Sequence, residues 1–500
     1  MNKPSIFQNT VVVTVIACLE RALGFLYRIV LARLLGAEGL GIYQIALSHF
    51  FLFQTVAGGG IPVSLSRTVS RLNAENQSRR AGGALLSALI IAGGISIALT
   101  LILLPLMDKI PLFSADAPVL KILLSTLTAT ATYMAIKGFF WGNKKFLAPA
   151  LFEIVEEIST VLLGVILLTN TQNLSPIEGA SRAAWARSVA AVAVCAVACI
   201  TLLFHKIKWS NPTRFLRPLA KSAAPITAVR SGATLVNAAV AALLPAMLIR
   251  AGIPQSDALQ AFGVVTGMVM PLVGIPLTLI GSLSIVLVPE LAEDHQKRNA
   301  KRLQEKVEKG VFFALVVPCL LIPLFMAVGK PIAALIYQNQ LAGEMLPRIA
   351  FLLLPMSVNA ILVSILNSLG FEKQTFSFSL VGSAALLLCI LFLPAYASIY
   401  AYPIGLLVSL TIEGICGYFL LKKHCPLPRR FYRKALLCVG LTAPLGLLGQ
   451  LIWKGISLLL GGWQSALCTA FLLILCTVAV CALFKLLPPI KIRKKTFHNP

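Results

Sequence analysis

The sequence predicts an all-α polytopic membrane protein of about fourteen transmembrane helices: two six-helix lobes, two further C-terminal helices, and both termini in the cytoplasm. Three observations predict it. Hydrophobic residues make up 58% of the 500 and charged residues only 12%, with mean hydropathy +0.87, whereas about a quarter of a soluble domain is charged. Apolar runs recur that can cross a ~30 Å hydrocarbon layer at 1.5 Å per residue. The Lys and Arg behind the net charge of +25 gather in alternate short connections, the pattern of cytoplasmic loops.

In chain order the first six spans are 9–35, 40–64, 81–106, 117–141, 146–168 and 182–204. The next six are 219–250, 258–290, 310–329, 346–367, 375–394 and 400–421, and the last two are 435–457 and 464–487. Arg67, Arg71, Arg79 and Arg80 follow the second span, and Lys144 and Lys145 the fourth. Lys206, Lys208, Arg214, Arg217 and Lys221 join the sixth to the seventh, and Lys297, Arg298, Lys301 and Arg302 follow the eighth. Lys422, Lys423, Arg429, Arg430, Arg433 and Lys434 follow the twelfth, and Lys491, Arg493, Lys494 and Lys495 close the chain. All six connections fall on one side of an alternating count, which puts both termini inside and makes the number of spans even. Opposite connections such as Met107–Asp116 and Lys330–Glu344 are too short for a soluble catalytic domain. Asn173-Leu174-Ser175 among them matches a glycosylation sequon by chance, with Pro176 directly after it.

The basic stretch His205–Lys221 divides the spans into an N-lobe, 1–210, and a C-lobe, 211–424, leaving 425–500 as a two-span appendix with a basic cytoplasmic tail. Six spans per lobe give both the same orientation, so a repeat would be related by an axis along the membrane normal. Gly60-Ile61-Pro62 and Gly274-Ile275-Pro276 are a faint trace of one. Pro225 and Pro245 in the seventh span and Pro271 and Pro276 in the eighth bend their helices, either for packing or beside a cavity.

Charges inside these spans are the candidate site. A charge at the bilayer centre costs at least ~2.5 kcal/mol, so such side chains face protein or water. The first span holds Glu20, Arg21 and Arg28. Seven residues apart, Arg21 and Arg28 share a helix face, and Glu20, Gly24 and Tyr27 form the adjoining stripe. They either line a transport cavity or form a structural ion pair, and Arg33 snorkels to the headgroups. The fifth span carries Glu153, Glu156 and Glu157, one cluster at i, i+3 and i+4. The seventh carries Arg230, with Thr234 and Asn237 on the same face, as the counterpart to the first-span arginines. Glu413 and Asn367 are thinner candidates, and His49 is a packing histidine rather than a proton relay. Arginine binds phosphate bidentately with a permanent charge, so the constellation suits an anion with a polar body. The carboxylates neutralise the arginines of an empty site, bind a coupling cation, or hydrogen-bond sugar hydroxyls.

Other chemistry finds no support. There is no P-loop, zinc motif or Gly-x-Ser-x-Gly elbow, so no enzyme activity, cofactor or metal is expected. The eleven cysteines form no CxxC pair and read as small buried hydrophobes without disulfides. Lys3 and the apolar run after it form a retained first span, since Glu20 and Arg21 interrupt any signal-peptide core. The basic balance points to anionic membrane lipids and not to nucleic acid, because it sits in loops between spans.

The run from Arg21 through Tyr27, Arg28, Arg33 and Gly36 to Tyr43 resembles the opening of the polysaccharide and lipid-oligosaccharide flippases, within the multidrug/oligosaccharidyl-lipid/polysaccharide (MATE-like) exporter superfamily. Gly60-Ile-Pro-Val-Ser-Leu-Ser-Arg67, Met270 to Pro276, Ser282-Leu-Ser, Val288-Pro-Glu290 and Ile361 to Gly370 are similar as well. The motifs resemble the branch of stage V sporulation protein B, related to the lipid II flippases, and the similarity covers nearly the whole chain. The resemblance implies two lobes facing a central cavity in the bacterial cell membrane, alternating between inward- and outward-open states. It implies an undecaprenyl-diphosphate-linked sugar as cargo, such as lipid II or a related cell-wall or polysaccharide precursor, moved by a monomer with cell-wall synthesis proteins as further partners. In the lipid II flippases, arginines of the first and eighth spans contribute to the cavity. Here Arg21 and Arg33 match arginine positions, Tyr27 stands where an arginine is expected and Arg28 where an acid is expected, and the eighth span has no arginine before its cytoplasmic end. The alternative is a multidrug/cation antiporter of the same superfamily, against which the two-span appendix and the interior arginines count. A membrane glycosyltransferase would need a large outer loop with catalytic acids, and a purely structural scaffold has no need of buried arginines.

Overall fold

The computed structural model describes residues 6–483 apart from 111, 112, 114, 171–173, 206 and 208. The sequon at Asn173, the linker residues Lys206 and Lys208, and the basic tail at 491–495 lie outside the described residues. Among those described, every regular element is helical. Ten helices are long and apolar enough to cross a membrane, or eleven when the bent pair at 117–142 counts as one span. The chain divides into two compact units, Met1–Met268 with Leu387–Tyr402, and Val269–Leu386 with Pro403–Pro500.

The first unit is organised around α1 (Ile6–Gly58). The two spans read in the sequence, 9–35 and 40–64, meet at Gly36, whose φ of 67° and ψ of −179° interrupt the helix in a region reserved essentially for glycine. α2 (Ile61–Ala74) starts with a proline in its first turn, where the missing N–H costs nothing. α3 (Ala81–Leu106) follows, and then the fourth span, in two pieces: α4 (Ala117–Ser125) and α5 (Leu127–Gly142) bend by 45° at Thr126. α6 (Leu147–Thr169) carries the glutamates. α7 (Pro176–Phe204) opens on a complete capping box, Ser175 with Glu178, and α8 (Thr213–Arg250) runs unbroken through three prolines. α9 (Gln255–Phe262) continues into a π-helical stretch, Gly263–Val269. α1 packs against α6, α7, α8 and α9. The approach to α9 is backbone to backbone: a Cβ on Gly41 would stand 2.2 Å from the Leu259 carbonyl oxygen.

In the second unit α10 (Met270–Gly274) and α11 (Leu277–Gln296) are separated at Ile275-Pro276, so the long eighth span resolves into helical pieces broken at its prolines. α12 (Ala300–Tyr337) is the hub. It packs on α11, α13 (Gln340–Ile349), α14 (Leu353–Ser368), α18 (Arg429–Leu459) and α19 (Gly462–Leu483). Ile280, Val307, Ala314, Ile361 and Ile365 form its fully enclosed centre. α15 (Glu372–Phe392) and α17 (Ala401–His424) lie mainly in this unit, whereas the short α16 (Pro394–Ala397) between them belongs to the first unit and packs on α8.

Large apolar side chains also point outward, among them Leu101, Leu203, Ile285 and Leu436, each more than two-thirds exposed. In a bilayer these meet acyl chains, so helix exteriors need not be polar. The same reasoning corrects one expectation. Cys195, Cys319, Cys425 and Cys438 are buried, but Cys199 and Cys468 are exposed on apolar helix surfaces. None of the described cysteines forms a disulfide.

Candidate substrate-binding site

Glycine brings α1 and α6 together at the charged cluster. A Cβ on Gly24 would stand 3.0 Å from Glu157 Oε1, so the absent side chain is what admits the carboxylate. Farther along, Tyr27 lies over Gly164, where a Cβ would come within 2.1 Å of its hydroxyl oxygen. Tyr27 is buried, and its hydroxyl finds no hydrogen-bond partner among the described residues.

Around this crossing the first unit gathers four of the expected carboxylates. Glu20 lies in the field of Glu153, Glu156 and Glu157, and all four are half-buried. Two cations that sequence reading passed over lie beside them. Lys137 of α5 forms an ion pair with Glu153 and lies 4.8 Å from the centre of the Trp141 ring. Arg187 of α7 acts electrostatically on both Glu156 and Glu157, and its guanidinium stands 5.5 Å from the Phe51 ring centre. Arg28, half-buried, shares Glu157 with Arg187. Arg21 is exposed. The cluster therefore joins α1, α5, α6 and α7. The same rule that singled out Glu20 would have found Lys137 and Arg187, since each is a charge inside an apolar span.

The two α8 candidates lie elsewhere. Arg230 Nη1 donates to the Gly59 carbonyl at 2.7 Å, and Thr227 Oγ1 accepts from the Gly60 amide at 3.0 Å. α8 thus satisfies backbone groups at the break between α1 and α2. Asn237 lines a cavity of about 410 Å³ with Gln44, Ser48, Thr55, Thr266 and Tyr402, a volume typical of small-molecule sites. Its polar lining is uncharged. Ser48, Thr55 and Thr266 each donate to their own helix's carbonyl four residues back, so their oxygens face the cavity as acceptors.

His49 is enclosed. Its Nδ1 lies 2.9 Å from Asp116 Oδ2, both side chains are buried, and the ring meets Phe113 edge-on at 5.0 Å. In the second unit Glu413 accepts from Asn359 at 2.7 Å, and a Cβ on Gly382 would stand 2.5 Å from its carboxylate. Asn367 accepts from Thr375 at 2.7 Å.

Comparison with known proteins fits this architecture. Residues 6–295 match the family described as "Polysaccharide biosynthesis protein". Stage V sporulation protein B of Bacillus subtilis (strain 168) is 23% identical over 77% of this chain and 76% of its own. Lipid II flippase MurJ of the same organism is 21% identical over 89% and 88%. Among solved structures, lipid II flippase MurJ in an inward closed conformation superposes with a TM-score of 0.73 at 14% identity, covering 95% of this chain and all of that one. An inward-facing multidrug resistance MATE family transporter of the MOP superfamily gives 0.68 at 14% identity, over 81% and 94%. The fold is that of MurJ and the MATE transporters.

Proposed function

Because the chain belongs to the polysaccharide biosynthesis protein family, we propose that it is a flippase moving an undecaprenyl-diphosphate-linked sugar from the cytoplasmic to the outer leaflet by alternating access. It is a multi-pass protein of the bacterial plasma membrane, and its relatives are transporters and flippases rather than catalysts. The finer features belong to the proposal: fourteen spans with both termini inside, lobes at 1–210 and 211–424 with the appendix 425–500, monomeric action, and cell-wall synthesis proteins as partners.

The observation that carries the reading is that Arg28 and Arg187, on two membrane-spanning helices, both stand near enough to Glu157 to act on its charge. Guanidiniums in the field of carboxylates can turn to phosphate oxygens, which they bind bidentately. Glu20, Glu153 and Glu156 keep the empty site near neutrality and limit the cost of charge in the bilayer. Arg21 extends the cationic surface along the same face of α1, and Asn237 offers an amide to the uncharged part of the cargo. Arg230, bound to Gly59, holds α8 against the α1–α2 break.

The test is complementation of a flippase-deficient strain. Arg21→Ala and Arg28→Ala are expected to abolish growth while the protein still inserts in the membrane at normal level. Full complementation by both variants would remove the arginines from the site. A drug/cation antiporter, the second reading, is favoured by the MATE-like fold alone.

A further inference from the structure

At one end of the first unit, helix termini enclose a second cavity, of about 330 Å³, away from the charged cluster. Three separate connections each bring a basic side chain to it. Arg79 comes from the one-turn helix after α2, Lys145 from the turn between α5 and α6, and His205 from the end of α7. The side chains lining it include no carboxylate. Its floor is apolar and aromatic, with Phe139 and Phe140.

The walls are built structure. Asn73 donates to Asn143 at 3.0 Å, tying α2 to the α5 turn, and Lys144 holds that turn in the left-handed region at φ 59°. The His205 ring meets Phe140 edge-on at 5.4 Å, with Nδ1 2.9 Å from the Thr201 carbonyl, which leaves Nε2 for another partner. The segment leading to α8 docks beside the cavity: Ser210 donates to the Arg80 carbonyl at 3.4 Å, and Ser87 to the Pro212 carbonyl at 2.8 Å.

We propose that this cavity is a binding site for the phosphate group of an anionic lipid, held by Arg79 and Lys145 with the acyl chains over the Phe139–Phe140 floor. Arginine supplies a bidentate fork and lysine a point charge, a pairing suited to phosphate. Basic pockets between membrane helices on the cytoplasmic side take anionic headgroups in this way. A bound phosphate would bridge the α2, α5 and α7 ends where the connection to α8 begins, and so brace that connection. The site is separate from the proposed cargo cluster and does not depend on the flippase reading.

Native mass spectrometry of the full-length protein, delipidated and titrated with phosphatidylglycerol or phosphatidylcholine, tests this. Phosphatidylglycerol is expected to leave a tightly bound equivalent that phosphatidylcholine, whose headgroup is net neutral, does not. Arg79→Gln with Lys145→Gln is expected to weaken it about tenfold or more, while Arg79→Lys with Lys145→Arg retains it. Lys422→Gln with Lys423→Gln, exposed basic residues of the second unit, serves as the control for diffuse charge. Thermal melts of each variant separate lost binding from lost fold. Competition by inorganic phosphate would assign the site to the phosphate group itself, and competition by a polyprenyl phosphate alone would assign it to lipid-borne phosphate. Unchanged binding in a folded Arg79→Gln/Lys145→Gln protein, or equal weakening in the Lys422/Lys423 pair, would overturn the proposal.

Discussion

The glutamates of α6 were legible because a carboxylate in an apolar span is too costly to be idle, but their partners were not. Lys137 and Arg187 lie on the helices that flank α6 in sequence, and although each was visible as a charge in an apolar span, a side chain's spacing along its own helix says nothing about what it meets across a packing interface. Lys137→Met is expected to leave Glu153 facing Glu20, Glu156 and Glu157 and to lower stability by about 1–3 kcal/mol; adding Glu153→Gln should restore most of it, as thermal unfolding in detergent would read. Tyr27 was assigned only a place in a stripe, yet the structure makes it a packing residue over Gly164. Gly164→Ala is expected to cost about 1–3 kcal/mol through overpacking. Tyr27→Phe removes an unpartnered buried hydroxyl and should be near neutral alone, and should relieve part of the Gly164→Ala penalty. Additivity in that double variant would contradict the contact.

Most elements were readable from apolar runs punctuated by basic loops, because helices in lipid must satisfy their own backbone and have few alternatives. Breaks within elements were less readable. Gly36 was read as the start of a four-residue connection, and it does interrupt the helix, but the non-helical backbone is confined to that one glycine. Pro225 and Pro245 were read as bending the seventh span, and the helix runs on through both and through Pro218. The close approach of α1 and α9 left no signal beyond two ordinary glycines, Gly41 and Gly263. Gly36→Ala is expected to cost about 1–3 kcal/mol from backbone strain. Gly41→Ala should also destabilise, because the added methyl meets a backbone carbonyl that cannot rotate away. Retained thermal stability in Gly41→Ala would show that α9 does not bear on α1 there.

For the whole molecule, charge distribution and hydropathy specified a helical membrane protein, and motif similarity specified its family. The division into units followed neither signal. Contact groups α8 and α9 with the first unit, although the basic linker precedes them, because α1 is long enough to pack against both. In the proposed flippase reading the guanidiniums of Arg28 and Arg187 take the anionic headgroup, whereas in the antiporter reading the carboxylates beside them would take a cation. The most direct measurement reconstitutes the protein in vesicles with fluorescent undecaprenyl-diphosphate glycan and follows its appearance in the opposite leaflet, with and without a membrane potential. Translocation is expected from the unaltered protein and is expected to be lost in Arg28→Ala and Arg187→Ala variants that still insert and fold. Absence of glycan translocation, together with cation-coupled drug efflux from the same vesicles, would contradict it.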